Sequence, residues 1–140
     1  MNKIILILLL LVVTVGLGFL GYKYLYKPDL IITDVVASIN QENPQDCVYN
    51  VRVKNQGLKP VKELFYFCYS YDSSNICNSG VAANLNSNGD IVAVSPGDQY
   101  SLQIYDACLP AGYKFYFKID APENFIDEAK ENNNNFILSK

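Results

Sequence analysis

The residue types best suited to chemistry are concentrated in one stretch near the carboxyl end, KIDAPENFIDEAKENNNNF, from Lys118 to Phe136. Five carboxylates are followed there by four consecutive asparagines. Carboxylate and carboxamide oxygens are hard ligands that suit Ca²⁺. The same side chains also accept hydrogen bonds from the N–H groups of turns. The candidate residues for either role are Asp120, Asn124, Asp127, Glu128, Glu131 and Asn133.

Three interpretations of this acidic run stay open. It is a loop whose side chains satisfy its own backbone donors, a calcium site, or a loop that binds a partner. No EF-hand pattern is present, so the first interpretation is favoured over calcium. In that interpretation Phe125 and Ile126 tuck under the rest of the domain.

The four cysteines, Cys47, Cys68, Cys77 and Cys108, are the second candidate group. Their separations are 21, 9 and 31 residues, with no CxxC pair and no histidine in the chain. A zinc site needs closely spaced ligand pairs. An even number of cysteines in a small domain instead favours two disulfides and an oxidising compartment.

Catalytic chemistry finds little support. Without histidine, a Ser–His or Cys–His couple cannot form, and no Gly-rich phosphate loop is present. After Lys27 the chain carries a net charge of −6, which disfavours nucleic acid and anionic lipid surfaces. We therefore expect no enzyme, no small-molecule substrate, no nucleic-acid partner and no cofactor other than the calcium considered above.

The elements that must position these residues are strands. After Pro28, apolar and polar residues alternate with a period of two, and turn signals such as Asn55-Gln56-Gly57 separate the alternating segments. About seven strands are predicted, and the pattern is typical of an all-β, immunoglobulin-like β-sandwich. The predicted ranges are 29–40, 47–54, 61–71, 99–106, 113–119 and 134–139, with a short strand near the start of the loop-like segment 73–90. Aromatic residues on both faces of 61–71 make Phe65, Phe67, Tyr69 and Tyr71 a candidate contact surface.

Strand directions in such a sandwich place the cysteines together. Strand 47–54 pairs with 99–106, and 61–71 runs antiparallel to 113–119. The four cysteines then fall at one pole, so we predict the pairs Cys47–Cys108 and Cys68–Cys77 among three connectivities. The acidic run falls at the opposite pole, beside the start of the first strand.

The amino-terminal segment predicts a membrane anchor. Ile4 to Leu20 contains no charged residue, and 14 of its 17 positions are Leu, Ile, Val or Phe. As a helix it reaches about 25 Å, the short end of a spanning length. Tyr22, Tyr24 and Tyr26 alternate with lysines as in an interfacial belt.

We predict that residues 1–27 form an uncleaved single-pass anchor in the cell membrane, and that residues 28–140 form an extracytoplasmic domain. A cleaved signal peptide is the alternative for the first segment.

Several motifs carry a resemblance to a known family. Pro28-Asp29-Leu30, VRVKNQG at 51–57, the Pro96-Gly97 turn and the acidic run resemble CARDB, a cell-adhesion-related, immunoglobulin-like module of bacterial and archaeal surface proteins. The family's closing pattern matches at Asp120, Asn124, Glu128, Glu131 and Asn133. The long 73–93 loop and the cysteines depart from it. The resemblance implies surface attachment or interaction without a catalytic site.

The sequence thus predicts a membrane-anchored, non-catalytic module that binds a protein or a cell-surface polymer. The alternative is an accessory subunit of a membrane complex, whose helix packs with partner helices through the small-residue edge of Gly16, Gly18 and Gly21.

Overall fold

The computed structural model describes residues 3–71, 77, 79–120, 126–130 and 132–140. One helix precedes seven strands. The elements are α1 (Lys3–Leu25), β1 (Leu30–Ile39), β2 (Asp46–Asn55), β3 (Tyr66–Ser70), β4 (Ser79–Ala82), β5 (Gln99–Ala107), β6 (Lys114–Ile119) and β7 (Asn135–Ser139).

Helix α1 follows the apolar run and ends shortly before Pro28, whose ring disfavours helical geometry in the residue before it. Its described apolar side chains, such as Val12, Leu17 and Phe19, lie exposed. The rings of Tyr22 and Tyr26 stack with centroids 4.9 Å apart. Over the part of the chain that the structure describes, no helix is both long and apolar enough to cross a membrane. The anchor therefore stays a prediction from the sequence.

Two antiparallel sheets form the domain, in the orders β1-β2-β5 and β4-β3-β6-β7. The predicted β-sandwich is confirmed. The predicted pairing of the second strand with the fifth is present, with Cys47 opposite Asp106 and Lys54 opposite Gln99. Strand β3 pairs with β6 as expected. A short strand, β4, lies within the segment 73–90, later than the start of that segment where it was predicted.

The predicted strand 61–71 is wrong over its first half. Regular pairing begins only at Tyr66, and Val61 forms an isolated bridge to Val94. A buried side chain replaces the strand partner in between. Asn84 Oδ1 accepts the N–H of Phe65 at 3.2 Å, and its Nδ2 donates to the carbonyl of Glu63 at 2.9 Å. These side-chain bonds satisfy the backbone where no ladder forms.

Aromatic side chains from both sheets meet in the core. Tyr49 of β2 contacts Phe115 edge-on at 4.9 Å between ring centroids. The predicted aromatic contact surface is wrong, because Phe65 and Phe67 are fully buried. Only Tyr71 of that set is exposed, and it stacks on Phe115 at 4.4 Å. The inward row of β3 is therefore core.

The cysteine pole is covalently closed. Disulfides join Cys47 to Cys108 and Cys68 to Cys77, with Cα–Cα distances of 4.8 and 4.7 Å. This is the pairing favoured from the sequence.

A hydroxyl group reinforces this pole. Tyr49 Oη donates to the carbonyl of Ala107 and accepts the N–H of Leu109, both at 2.8 Å. Burial raises the pKa of Tyr49, and also that of Tyr71, which donates to the same carbonyl. Both phenols therefore stay protonated at neutral pH.

The two disulfides should differ in their effect on stability, since they close loops of 61 and 9 residues. Loop-closure entropy gives about 4 kcal/mol for the longer loop and about 2.5 kcal/mol for the shorter. We expect Cys47→Ala with Cys108→Ala to lower the free energy of unfolding more than Cys68→Ala with Cys77→Ala. Urea denaturation measures both, and the reverse order would contradict the assignment.

Candidate functional site

The acidic run lies at the pole opposite the disulfides. Strand β6 ends at Ile119 and β7 begins at Asn135, so the run connects these neighbouring strands across the start of β1. Asn124 and Glu131, two of the predicted site residues, lie outside the described residues, as does Phe125. The other four are placed.

Asp120 begins the connection in a strained backbone conformation. Its φ is 54°, the left-handed region that Asp tolerates better than most residues. The side chain is fully buried. Its Oδ2 accepts the N–H of Ile126 at 2.7 Å, while its own N–H donates to the carbonyl of Tyr66 at 2.8 Å. Ile126 is thereby held in the core, 3% exposed.

Glu128 fastens the connection to the first strand. This carboxylate is 3% exposed. Its Oε1 accepts the N–H of Leu30 at 2.9 Å, and its Oε2 accepts Nδ2 of the fully buried Asn134 at 2.7 Å. The N–H of Ala129 also donates to the carbonyl of Pro28 at 2.8 Å. A buried carboxylate is tolerated because these donors replace its hydration.

A third buried carboxylate, Asp29, joins the same network from the side of β1. Its Oδ1 accepts Nδ2 of Asn133 at 2.8 Å, and its Oδ2 accepts Nε2 of Gln56 at 3.0 Å. The fully buried Asn55 accepts the N–H groups of Asp29 and Gly57 at 3.1 and 3.0 Å. Three chain segments therefore meet through side-chain amides and carboxylates.

Gly57 allows this close approach. A Cβ at this position would lie 2.5 Å from the backbone nitrogen of Asp29 and would also collide with the carbonyl oxygen of Lys27. The sequence predicts only a turn at Asn55 and Gly57 and indicates no bonding role for Asp29. The signal was available, since all three lie within the motifs Pro28-Asp29-Leu30 and VRVKNQG that carry the family resemblance.

The structure divides the predicted residues into two groups. Asp120, Glu128 and Asn133 enter the hydrogen-bond network just described. Asp127 does not, because its side chain is 83% exposed and pairs with Lys27 at the surface. These hydrogen bonds fasten the described part of the acidic run to β1 and to the end of β6. We call this network the fastener.

For the calcium interpretation, the structure describes four of the six candidate residues. The buried carboxylates accept N–H donors, which a cation would have to displace. Among residues 3–71, 77, 79–120, 126–130 and 132–140, no three Asp, Glu or Cys side chains are grouped closely enough to hold a metal. Two amide oxygens, Oδ1 of Asn133 and of Asn134, are buried without a hydrogen-bond partner.

Replacing Glu128 by Gln tests the fastener. A carboxamide offers one acceptor in place of two, so either the N–H of Leu30 or Nδ2 of Asn134 loses its partner. We expect the free energy of unfolding to fall by about 1–3 kcal/mol. The matched control is Asp127→Asn, where loss of an exposed ion pair should cost less than about 1 kcal/mol. Equal effects of the two substitutions in chemical denaturation would contradict the role of Glu128.

Thermal melting tests calcium binding directly. Because the described carboxylates already accept hydrogen bonds, we expect the same Tm in excess calcium and in excess chelator. A Tm that rises with calcium concentration would show instead that the loop holds a cation.

Comparison with known proteins gives consistent results. The family model for CARDB matches residues 27–137. No curated protein matches the chain.

Two matching solved structures are of one CARDB domain from Pyrococcus furiosus, each at 22% sequence identity and covering 81% of this chain. The solution NMR structure has a TM-score of 0.53 with 94% of that chain covered. The crystal structure, a complex of that domain with di-metal ions, has a TM-score of 0.49 with 88% covered.

At 22% identity, the likeness to the NMR structure shows the fold alone. The family model matches residues 27–137, which is most of the chain. Because this family model matches more than half of the chain, the chain belongs to the CARDB family.

Proposed function

We propose that this protein is a non-catalytic interaction module that is held at the outer side of the cell membrane and binds a protein or a cell-surface polymer. The observation that carries the non-catalytic part of the proposal is that its cysteines and buried carboxylates are bonded within the domain. All four cysteines are in disulfides, and the buried carboxylates of Asp29, Asp120 and Glu128 accept hydrogen bonds from the domain itself. The CARDB family is adhesion-related, which agrees with a binding role.

Membrane attachment through α1 is supported by the uncharged sequence from Ile4 to Leu20 and by the exposure of its described apolar side chains. The link to the domain is short and fixed. The carbonyl of Lys27 accepts the N–H of Leu58 at 2.9 Å, and the carbonyl of Pro28 accepts that of Ala129. Such a tether would keep the domain close to the bilayer.

Placement outside the cytoplasm is supported by the two disulfides, because thiols remain reduced in most cytosolic proteins. The negative charge of the domain affects how the domain can lie at the membrane. Its net charge of −6 would keep it from lying flat on an anionic lipid surface. We therefore expect a partner to contact the faces or edges of the sandwich.

The alternative is an accessory subunit whose helix packs within a membrane complex. One observation favours it. A Cβ added to Gly18 or Gly21, three residues apart on one face of α1, would meet nothing within 4 Å, so this face is open to a neighbouring helix. Small residues permit such close helix contacts in lipid.

Labelling in whole cells tests the main proposal. We expect a membrane-impermeant amine reagent to label lysines of the domain in intact cells, and the chain to stay with the membrane after an alkaline carbonate wash. The membrane-bound protein should still contain residues 1–27. Labelling only after permeabilisation would contradict placement outside, and release of a shorter chain would indicate a cleaved signal peptide.

A further inference from the structure

The open edge of β1 carries a feature that the proposed function does not use. Ala37 and Ile39 lie opposite Tyr49 and Cys47 in the β1–β2 register. Cross-strand partners point to the same face of a sheet, and Tyr49 and Cys47 are buried in the core. Ile39 is nevertheless 66% exposed. A core-facing residue is thus left uncovered at the end of an edge strand.

An apolar groove runs beside this uncovered end. It has a volume of about 370 Å³ and lies between the edge strands of the two sheets, lined by residues that include Val35, Ala37, Leu109 and Leu138. The segment Val35–Ile39, VVASI, contains no charge and no proline. Charged residues, prolines or bulges usually prevent natural edge strands from pairing with another chain. The bulge in β1 lies earlier, between Ile32 and Asp34, so Val35–Ile39 has none of these protections.

The backbone of the same segment offers hydrogen bonds to a further strand. The N–H of Asn40 donates to the carbonyl of Asp46 at 2.9 Å, so Asn40 bonds towards β2. Bonding alternates along an antiparallel pair. Val35, Ala37 and Ile39 therefore direct their N–H and C=O groups to the open side, and β1 is an edge strand.

We propose that β1 pairs with β1 of a second copy, antiparallel and centred on Ala37. In this register each Val35 lies opposite the second copy's Ile39, and both are residues that bond towards the open side. The two-fold axis keeps both core-facing rows on the same side of the joined sheet, so each Ile39 packs beside the second copy's Val35.

Charge also fits a second copy. Centring on Ala37 places the carboxylate of Asp34 opposite the second copy's Asn40 and away from the second copy's Asp34. The Oδ1 of Asn40 already accepts the N–H of Glu42 at 3.0 Å. The Nδ2 of Asn40 therefore remains to donate a hydrogen bond to the second copy's Asp34. Elsewhere two domains of net charge −6 repel one another, and salt should therefore strengthen the pairing.

The pairing deepens the proposed function, and its membrane part rests on that proposal. β1 begins at Leu30, shortly after α1 ends at Leu25. Antiparallel pairing puts the two Leu30 residues at opposite ends of the joined sheet, so the two helices leave in opposite directions. Copies on two facing membranes satisfy this geometry, whereas copies side by side in one membrane do not. A weak contact suffices there, because many copies act together.

Sedimentation of the full chain in detergent tests the pairing. We expect a monomer–dimer equilibrium at or below about 1 mM, the weak end of specific association. Ala37→Pro removes an N–H that faces the open edge, which a sheet tolerates, and should weaken the dimer at least about tenfold. Ile39→Asp should do the same by placing a charge in the contact.

The matched control is Ser101→Pro on β5, the other edge of the same sheet. The N–H of Asn55 bonds to the carbonyl of Asp98, so by alternation Ser101 also faces the open side. This variant should dimerise as the unchanged chain does. A chain that stays monomeric, or an equal effect of all three substitutions, would overturn the proposal. Thermal melting verifies each fold, and if Ala37→Pro unfolds, the exposed Ile39→Asp decides.

Vesicles test the facing-membrane geometry. Two dye-labelled vesicle populations that carry the full chain should cluster, and those with Ala37→Pro should not. Vesicles that retain the chain on flotation but do not cluster would overturn pairing between membranes. A chain that does not float with the vesicles would contradict membrane attachment, and the detergent experiment would still decide whether β1 pairs.

Discussion

The buried carboxylate of Glu128 links two chain segments at one pole of the domain. Glu128 joins the connection before β7 to the first residues of β1, because its two oxygens accept donors from both segments. A charge in the interior is costly unless such donors replace water. Beside this contact, Asp29 accepts the side-chain N–H of Asn133, which joins the same two segments a second time.

The two poles of the sandwich are closed by different physical means. Covalent bonds and the Tyr49 hydroxyl close one pole, whereas carboxylates and amides close the other. At both poles, the buried reactive groups among the described residues are bonded within the domain. The edge strand β1 is different, since it keeps apolar side chains and backbone groups directed outwards.

Much of this arrangement could be predicted from the sequence. Period-two alternation located the strands, because one face of each strand is buried, and strand directions brought the cysteines together. The start of β3 could not be predicted, since the bonds of Phe65 and Glu63 depend on Asn84 from a distant loop. The roles of Asp29 and Asn55 were missed for a similar reason. An Asp in a linker and an Asn in a turn look like ordinary turn residues until the fold brings them together.

Backbone amide hydrogen exchange measures most directly whether the acidic run is an internal fastener. The N–H groups of Leu30 and Ile126 bond to the buried carboxylates of Glu128 and Asp120. We predict that both amides exchange as slowly as those in the centre of β2, through global unfolding. Exchange of either amide at the rate of an open loop would contradict this prediction.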